Sequence, residues 1–243
     1  MKDLKVDSEE KLYSRKEMLK MTGKSIAGVA MATALPTLLT GCAEDKVNAE
    51  NKPSVELPSK EVLSYEYKEA SKDEAPHPYP YQKLDVATAI ERGHAGYYNK
   101  GNCCRGAADA IIGELADQTG YPFNQIPIDM FRNGGSGYGV GTLCGALGAA
   151  VAAIGLVCEP DDAHEITQEL FKWYKDAELP IYQPDIELPK TVAGSVNCAD
   201  SVGNFIKESG YNMGDPERKE RCACLTGDVA GKTVELLNKH FGL

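Results

Sequence analysis

The sequence predicts an all-α fold: a compact helical domain of about six helices that follows an N-terminal signal and a flexible tether. From residue 84 onward, apolar residues recur at helical spacing, and capping residues bound the segments. The sequence shows neither paired alternating strands around a short turn nor a strand–helix–strand unit. With 42% apolar residues, the chain of 243 residues can bury a core of its own.

Residues 1–42 have the layout of an export signal, with charged residues before an uncharged run at 25–40. This run is shorter than the ~20 apolar residues that span a bilayer. It ends in Leu39-Thr40-Gly41-Cys42, which resembles the bacterial lipobox, whose cysteine carries the lipid. Residues 14–20 resemble a twin-arginine (Tat) signal, but Lys16 stands where the second arginine belongs, so general secretion stays an alternative. We expect an exported protein at the periplasmic or extracytoplasmic face of the cell envelope, lipid-anchored to the membrane through Cys42.

Residues 43–80 contain many Lys, Glu, Pro, Ser and Asn residues and little apolar periodicity. This composition is typical of a flexible linker, because it buries too little apolar surface to offset the entropy of ordering. We therefore divide the chain into a signal at 1–42, a tether at 43–80 and a helical domain at 81–243.

The first half of the domain begins with Asp85, a capping residue that predicts a helix to about residue 98. A second helix is expected from about residue 102 to a stop at Gly120, and a short one over 126–132. The glycine-rich loop 133–141 follows, and its glycines predict positive φ angles or close backbone approach.

The second half begins with a helix at about 142–156, which is composed of Ala, Gly, Leu and Val and is therefore expected to be buried. An acidic start at Asp161 or Asp162 predicts the next helix. A loop with several prolines separates it from two further helices at 197–209 and 216–240.

The charge of the chain is strongly acidic, with a formal net charge of -10 and a pI near 5.0. This excess of carboxylates argues against nucleic acid as a partner, because phosphate binding needs a basic face. It also argues against docking on anionic lipid through a polybasic patch.

Seven cysteines remain besides Cys42, and several fall at the start of a predicted helix: Cys103, Cys104, Cys144, Cys158, Cys198, Cys222 and Cys224. A helix N-terminus lowers the pKa of a thiol, and thiolate is the form that binds iron or zinc. A disulfide framework, a structural zinc site and a redox centre are all compatible with this spacing. Spacing alone does not separate these three interpretations.

Four segments occur in an order that resembles a known family: Asn102-Cys103-Cys104-Arg105-Gly106-Ala107, Gly141-Thr142-Leu143-Cys144-Gly145-Ala146, Gly194-Ser195-Val196-Asn197-Cys198 and Lys219-Glu220-Arg221-Cys222. The pattern resembles the redox-active family named for its C…GCAxxG…C…C cysteines. Within it, the sequence is most similar to the branch related to split-Soret cytochromes c. The resemblance covers roughly residues 84–243.

The resemblance implies a helical domain in which four cysteines form a redox centre, an iron–sulfur cluster with [2Fe–2S] favoured over [4Fe–4S]. Its metal ligands would be Cys104, Cys144, Cys198 and Cys222. Cys104 is preferred to Cys103 because Ala107 follows three residues later, as in the family's C-x-x-A, and Cys224 is a weaker alternative to Cys222. The function implied is electron transfer with an unidentified redox partner, in a carrier or redox-active protein more than in a turnover enzyme.

One feature of that branch is missing, since the sequence contains no C-x-x-C-H motif and covalent haem c is therefore not expected. The split-Soret relatives are dimers, so a homodimer is a further expectation from the resemblance. Two alternatives stay open: a thiol–disulfide redox protein or sensor that uses Cys103-Cys104 or Cys222 with Cys224, and a non-redox lipoprotein binding module with structural zinc or disulfides. His94 is more typical of a solvated or hydrogen-bonded histidine than of a metal ligand.

Overall fold

The computed structural model describes residue 75 and residues 77–243. These residues form seven α-helices and a single antiparallel pair of two-residue strands, which confirms the all-α class. Within this part of the chain, no helix combines the length and the apolar character that a bilayer span requires. The predicted signal, Cys42 and nearly all of the predicted tether lie outside the described residues.

The helices are α1 Val86–Asn99, α2 Cys103–Ala108, α3 Glu114–Thr119, α4 Gly145–Val157, α5 Pro160–Asp176, α6 Cys198–Ser209 and α7 Pro216–Phe241. A π-helical turn at Asp109–Gly113 joins α2 to α3. Short 3-10 segments cover Phe123–Gln125 and Ile128–Gly134, and an irregular turn covers Gly137–Gly141. Strands β1 Glu178–Leu179 and β2 Thr191–Val192 pair with Glu178 opposite Val192.

Local signals in the sequence set most helix ends. The Asp85 carboxylate accepts a hydrogen bond from the backbone N–H of Thr88 at 2.7 Å and so caps α1. Pro216 occupies the first turn of α7, where a missing N–H costs nothing. Gly120 and Gly210 adopt positive φ angles of 72° and 73° where α3 and α6 end.

Helix α7 is the longest element and packs along α1, while α4 packs against both α2 and α7. Glycines bring the backbones into contact: a Cβ added to Gly93 of α1 would lie 3.1 Å from the Cα of Gly227 in α7. A Cβ on Gly106 of α2 would lie only 2.7 Å from the backbone nitrogen of Tyr97. Because these helices approach so closely, the start of α2 is fixed against both α1 and α7.

The core lies between α2, α4, α5 and α7, and its fully buried side chains include Ile111, Leu147, Ile154 and Leu170. Helix α4 is largely buried, as its Ala-Gly-Leu-Val composition predicted. The π-helical turn is held by a buried ion pair, in which Nε of Arg92 lies 3.0 Å from the Asp109 carboxylate. Cys104, Cys144 and Cys158 are themselves buried members of this core.

Candidate metal centre

Four cysteines lie close together, although they come from four separate elements. Cys103 begins α2, Cys144 precedes α4, Cys198 begins α6 and Cys222 lies in the second turn of α7. Every pair among these four thiols is close enough to interact electrostatically. Three of them, all except Cys144, line a cavity of about 490 Å³.

A short backbone bridge joins the segments that carry Cys144 and Cys198. The N–H of Cys144 donates to the carbonyl of Val196 at 2.9 Å, and the N–H of Cys198 donates to the carbonyl of Thr142 at 2.6 Å. The two thiols therefore keep their spacing through hydrogen bonds of the main chain. This bridge spans more than fifty residues of sequence, so periodicity could not reveal it.

The glycine-rich loop wraps around this bridge. Gly137, Gly139 and Gly141 all have positive φ angles, as predicted, and Ser136 and Tyr138 adopt the same region without being glycines. A Cβ on Gly137 would lie 2.6 Å from the backbone nitrogen of Thr142 and 2.8 Å from the Cβ of Cys198. The loop can fold onto the start of α6 only because Gly137 has no side chain.

Cys103 and Cys104 point in different directions, because consecutive residues of a helix are rotated by about 100°. Cys103 faces the cavity and interacts with the other three thiols. Cys104 is 2% exposed, packs in the hydrophobic core and accepts a hydrogen bond from the backbone N–H of Ala149. It lies close to Cys103 and Cys144, but the geometry favours Cys103 over the sequence-predicted Cys104 as the fourth thiol at the cavity.

The sulfur of Cys144 lies at the N-terminus of α4. Backbone N–H groups of Ala146 and Leu147 donate to it, and so does the buried hydroxyl of Tyr174. That hydroxyl also lies 3.0 Å from Oγ of Ser201. A negative charge on this sulfur is therefore met by three donors from the protein, an arrangement suited to a thiolate that binds a metal.

A buried arginine lies next to this group. Arg221 is 0% exposed, and its Nη2 donates to Oγ of Ser201 at 2.8 Å. Its Nε and Nη1 have no hydrogen-bond partner among the described residues. A buried guanidinium with two unpaired N–H groups is costly unless negative charge lies nearby. The positive charge of Arg221 also acts to lower the pKa of the Cys198 thiol.

A second arginine flanks the open side of the cavity. Nη1 of Arg218 lies 3.7 Å from the sulfur of Cys222, and its Nε donates to the carbonyl of Met213 at 2.7 Å. Sequence reasoning assigned no role to Arg218 or Arg221. Arg221 lies on the core-facing side of α7, and this position is the signal that could have identified it. A charged residue is rarely buried unless it is paired.

The thiols are harder to ionise than their helix positions predicted. Burial and the neighbouring thiols raise the pKa values of Cys103 and Cys198, the latter to about 11. Burial also raises the pKa of Cys144, despite the donors at its sulfur. The N–H groups at the start of α4 do lower the pKa of Cys144, as its position predicted, but burial outweighs them.

Cys222 and Cys224 face opposite sides of α7, since residues two apart on a helix are rotated by about 200°. Cys224 is fully buried and donates to the Glu220 carboxylate at 3.3 Å, away from the cavity. Cys158 is a buried core residue. All seven described cysteines are free thiols, and the predicted lipid-bearing Cys42 lies outside the described residues.

Comparison with known proteins gives three matches. The model of a family described as "Putative redox-active protein (C_GCAxxG_C_C)" matches residues 102–236. The split-Soret cytochrome c of Desulfovibrio desulfuricans is 35% identical over an alignment of 165 residues. The match covers 64% of this chain and 59% of that protein, which is less than two thirds of the relative. A solved structure described as a novel iron centre in that cytochrome is 34% identical and has a TM-score of 0.65. The structural alignment covers 67% of this chain and 71% of that chain.

Proposed function

Because this chain belongs to the redox-active C_GCAxxG_C_C family, we propose that it is an electron-transfer protein with an iron–sulfur cluster bound by Cys103, Cys144, Cys198 and Cys222. The observation that carries the proposal is the mutual proximity of these four thiols, three of which line one cavity. Four cysteine ligands suit both common cluster types, and we favour [2Fe–2S]. The described iron centre of the split-Soret structure belongs to that protein and supports the proposal by similarity.

The spacing of the thiols favours a cluster over a single zinc ion. Four sulfurs around one zinc lie about 3.8 Å apart, given a Zn–S distance of about 2.3 Å. Among the described residues, no three of these four sulfurs lie within 4.8 Å of one another. A cluster with several metal atoms spans a wider set of ligands, so the observed spacing fits it better.

The charges around the cavity also fit an anionic cluster. Four thiolates bound to iron leave a net negative charge, which the unpaired N–H groups of Arg221 and the guanidinium of Arg218 would offset. Donors to the sulfur of Cys144 would further stabilise the reduced, more negative state. The cluster would supply one-electron chemistry, while these residues set its charge balance and limit its access to water.

The thiol–disulfide alternative has less support. Reactive cysteines need a lowered pKa, whereas burial raises the pKa values of Cys103, Cys104 and Cys224. Cys222 and Cys224 cannot form a bond to each other on opposite sides of a helix. Neither pair suggested by the sequence is therefore arranged as a reactive dithiol.

We also propose that the protein is exported and held at the membrane by a lipid on Cys42, and that it exchanges electrons with a partner at the cell envelope. This part of the proposal is supported by the sequence of residues 1–42. In Cys42→Ala, the protein is expected to move from the membrane fraction to the soluble fraction. Equal membrane association of both forms would contradict the lipid anchor.

The cluster is tested on the full chain purified without oxygen. Visible absorption that bleaches with dithionite, an EPR signal in the reduced state, and matching counts of iron and acid-labile sulfide are expected. Two of each per chain would indicate [2Fe–2S], and four of each [4Fe–4S]. A colourless protein that stays free of iron after cluster reconstitution would contradict the proposal.

Variants then identify the ligands. Cys103→Ser and Cys144→Ser are expected to lose most of the iron, while Cys158→Ser, a change of a buried core thiol, is expected to keep it. Cys104→Ser decides between the two adjacent cysteines: retained iron supports Cys103 as the ligand, and lost iron with an intact Cys103→Ser cluster supports Cys104. Far-ultraviolet circular dichroism confirms that each variant is folded.

A further inference from the structure

A second group of metal-binding side chains lies on the other side of α7 from the cavity. One imidazole nitrogen of His94, a carboxylate oxygen of Glu220 and the sulfur of Cys224 all lie within 4.8 Å of one another. All three side chains are buried, with 2% exposure for His94 and none for Glu220 and Cys224. A histidine, a carboxylate and a thiol together are a donor set typical of zinc and similar divalent metals.

The three donors already converge on one point. Nε2 of His94 lies 2.8 Å from Oε1 of Glu220, and the sulfur of Cys224 lies 3.3 Å from the same oxygen. Around a tetrahedral zinc ion, the corresponding distances would be about 3.4 Å and about 3.6 Å. To admit an ion between them, the His94 and Glu220 atoms would separate by about 0.6 Å and the Cys224 and Glu220 atoms by about 0.3 Å.

The supporting residues hold this group in place. The hydroxyl of Tyr98 donates to the other Glu220 oxygen at 2.5 Å, which orients the carboxylate. His94, Tyr98 and Cys224 all lie within hydrogen-bond distance of the Glu220 carboxylate, so both of its oxygens are held in place. Second partners of this kind commonly orient metal ligands.

The loop after β1 covers the group. Asp228, one turn beyond Cys224 on the same face of α7, accepts hydrogen bonds from the backbone N–H groups of Ile181 and Tyr182 at 2.7 Å and 2.9 Å. The Tyr182 ring packs edge-on against the imidazole of His94, with ring centroids 5.6 Å apart. Water is thereby kept from the donors, and two buried carboxylates on one helix face create a negative site.

We propose that His94, Glu220 and Cys224 bind one divalent metal ion of the zinc class, at a site separate from the four-cysteine centre. Binding releases the thiol proton of Cys224 to solvent. Nδ1 of His94 has no partner among the described residues, so it can carry the ring proton while Nε2 binds the ion. The ion would join α1 to α7 next to Cys222, and the proposal does not depend on the presence of a cluster.

The test uses zinc and the full chain with its four-cysteine centre loaded. The protein is incubated with Zn²⁺, desalted and analysed for metal content and by X-ray absorption at the zinc edge. We expect one zinc per chain in addition to the iron, with one sulfur ligand at about 2.3 Å and the rest nitrogen or oxygen. Loss of zinc on desalting, or a zinc ion surrounded by four sulfurs, would overturn the proposal.

Matched variants locate the ion. Cys224→Ser and His94→Gln are expected to weaken zinc binding at least tenfold, whereas Cys158→Ser, another buried thiol, is expected to bind as the unaltered protein does. Equal zinc binding in all three variants would overturn the site. If Cys224→Ser or His94→Gln does not fold, the zinc ligands that X-ray absorption identifies in the unaltered protein still test the site. If the protein forms no cluster, the same test applies to the cluster-free protein. Zinc bound at the four other thiols would have four sulfur ligands, and Cys224→Ser would leave that ligand shell intact.

Discussion

The first residue of α4 offers a sharp test of how the centre is built. Gly145 follows Cys144, and a Cβ at this position would overlap the carbonyl oxygen of Gly134 and would lie 2.9 Å from the sulfur of Cys103. Ten residues later on the same helix, Gly155 has open space around the corresponding position. Alanine at the two sites therefore makes the same chemical change in two different surroundings.

The expected magnitudes follow from these contacts. Alanine is favoured over glycine inside a helix by about 0.5–1 kcal/mol, so Gly155→Ala should stabilise the protein by roughly that amount. Gly145→Ala gains no more than this and adds an overlap with backbone, which cannot move aside as a flexible side chain can. Overpacking of this kind costs about 1–3 kcal/mol. The two variants should therefore differ in unfolding free energy by about 1–3 kcal/mol.

The measurement is urea unfolding followed by circular dichroism, with both variants freed of metal, and iron per chain determined separately on each variant after cluster reconstitution. We expect Gly145→Ala to bind less iron than Gly155→Ala, because the new methyl group displaces the sulfur of Cys103. If Gly145→Ala is as stable as Gly155→Ala and binds as much iron, α4 does not begin against Gly134 and Cys103, and the proposed arrangement of the centre is wrong.

Three further predictions concern the surrounding scaffold. Asn102→Ala removes the side chain that caps α2 by accepting from the backbone N–H of Arg105 at 3.0 Å, and should cost about 1 kcal/mol in urea unfolding; an unchanged midpoint would contradict the cap. Arg92→Ala leaves the buried Asp109 without its main partner and should lower the free energy of unfolding by about 3 kcal/mol. Lys232→Ala, whose partner is exposed, should lower it by less than about 1 kcal/mol, and similar losses in the two variants would contradict this difference. Burial raises the pKa of Asp228 from 3.8 to about 6, so the contribution of Asp228 to stability is greatest below pH 3.8 and falls by about 3 kcal/mol as pH rises through 6. Asp228→Asn should lack this fall, and parallel pH profiles of unfolding in both proteins would show that Asp228 is not the cause.

Helix positions could be predicted from the sequence because their signals are local. Asp85 and Gly120 stand at the expected ends of their helices. The expected helices at 197–209 and 216–240 match α6 and α7 to within one residue at each end. A cap or a proline acts on its own turn, so it needs no tertiary context. The π-helical turn after α2 was not predicted, since it depends on the ion pair between Arg92 and Asp109.

The candidate centre was harder to predict because it depends on direction as well as on residue type. The resemblance supplied Cys144, Cys198 and Cys222, and all three lie at the centre in the structure. The choice between Cys103 and Cys104 depends on a rotation of about 100° at the start of α2, which spacing to Ala107 does not reveal. The predicted ligand set stays a prediction until metal binding is measured on the variants described above.

Helix α7 explains why a hydrophobic pattern could not reveal the chemistry. Its first turns are rich in charge, which is typical of a solvated surface, yet Glu220 and Arg221 are fully buried. Consecutive positions point to separate partners: Glu220 to His94, Arg221 to Ser201, and Cys222 to the cavity. A buried turn of this kind is stable only if each charge is matched where it points, because an unmatched buried charge costs several kcal/mol. Glu220 has hydrogen-bond donors within the protein. Arg221 keeps two N–H groups without a partner among the described residues, and the anionic centre proposed above would offset their charge.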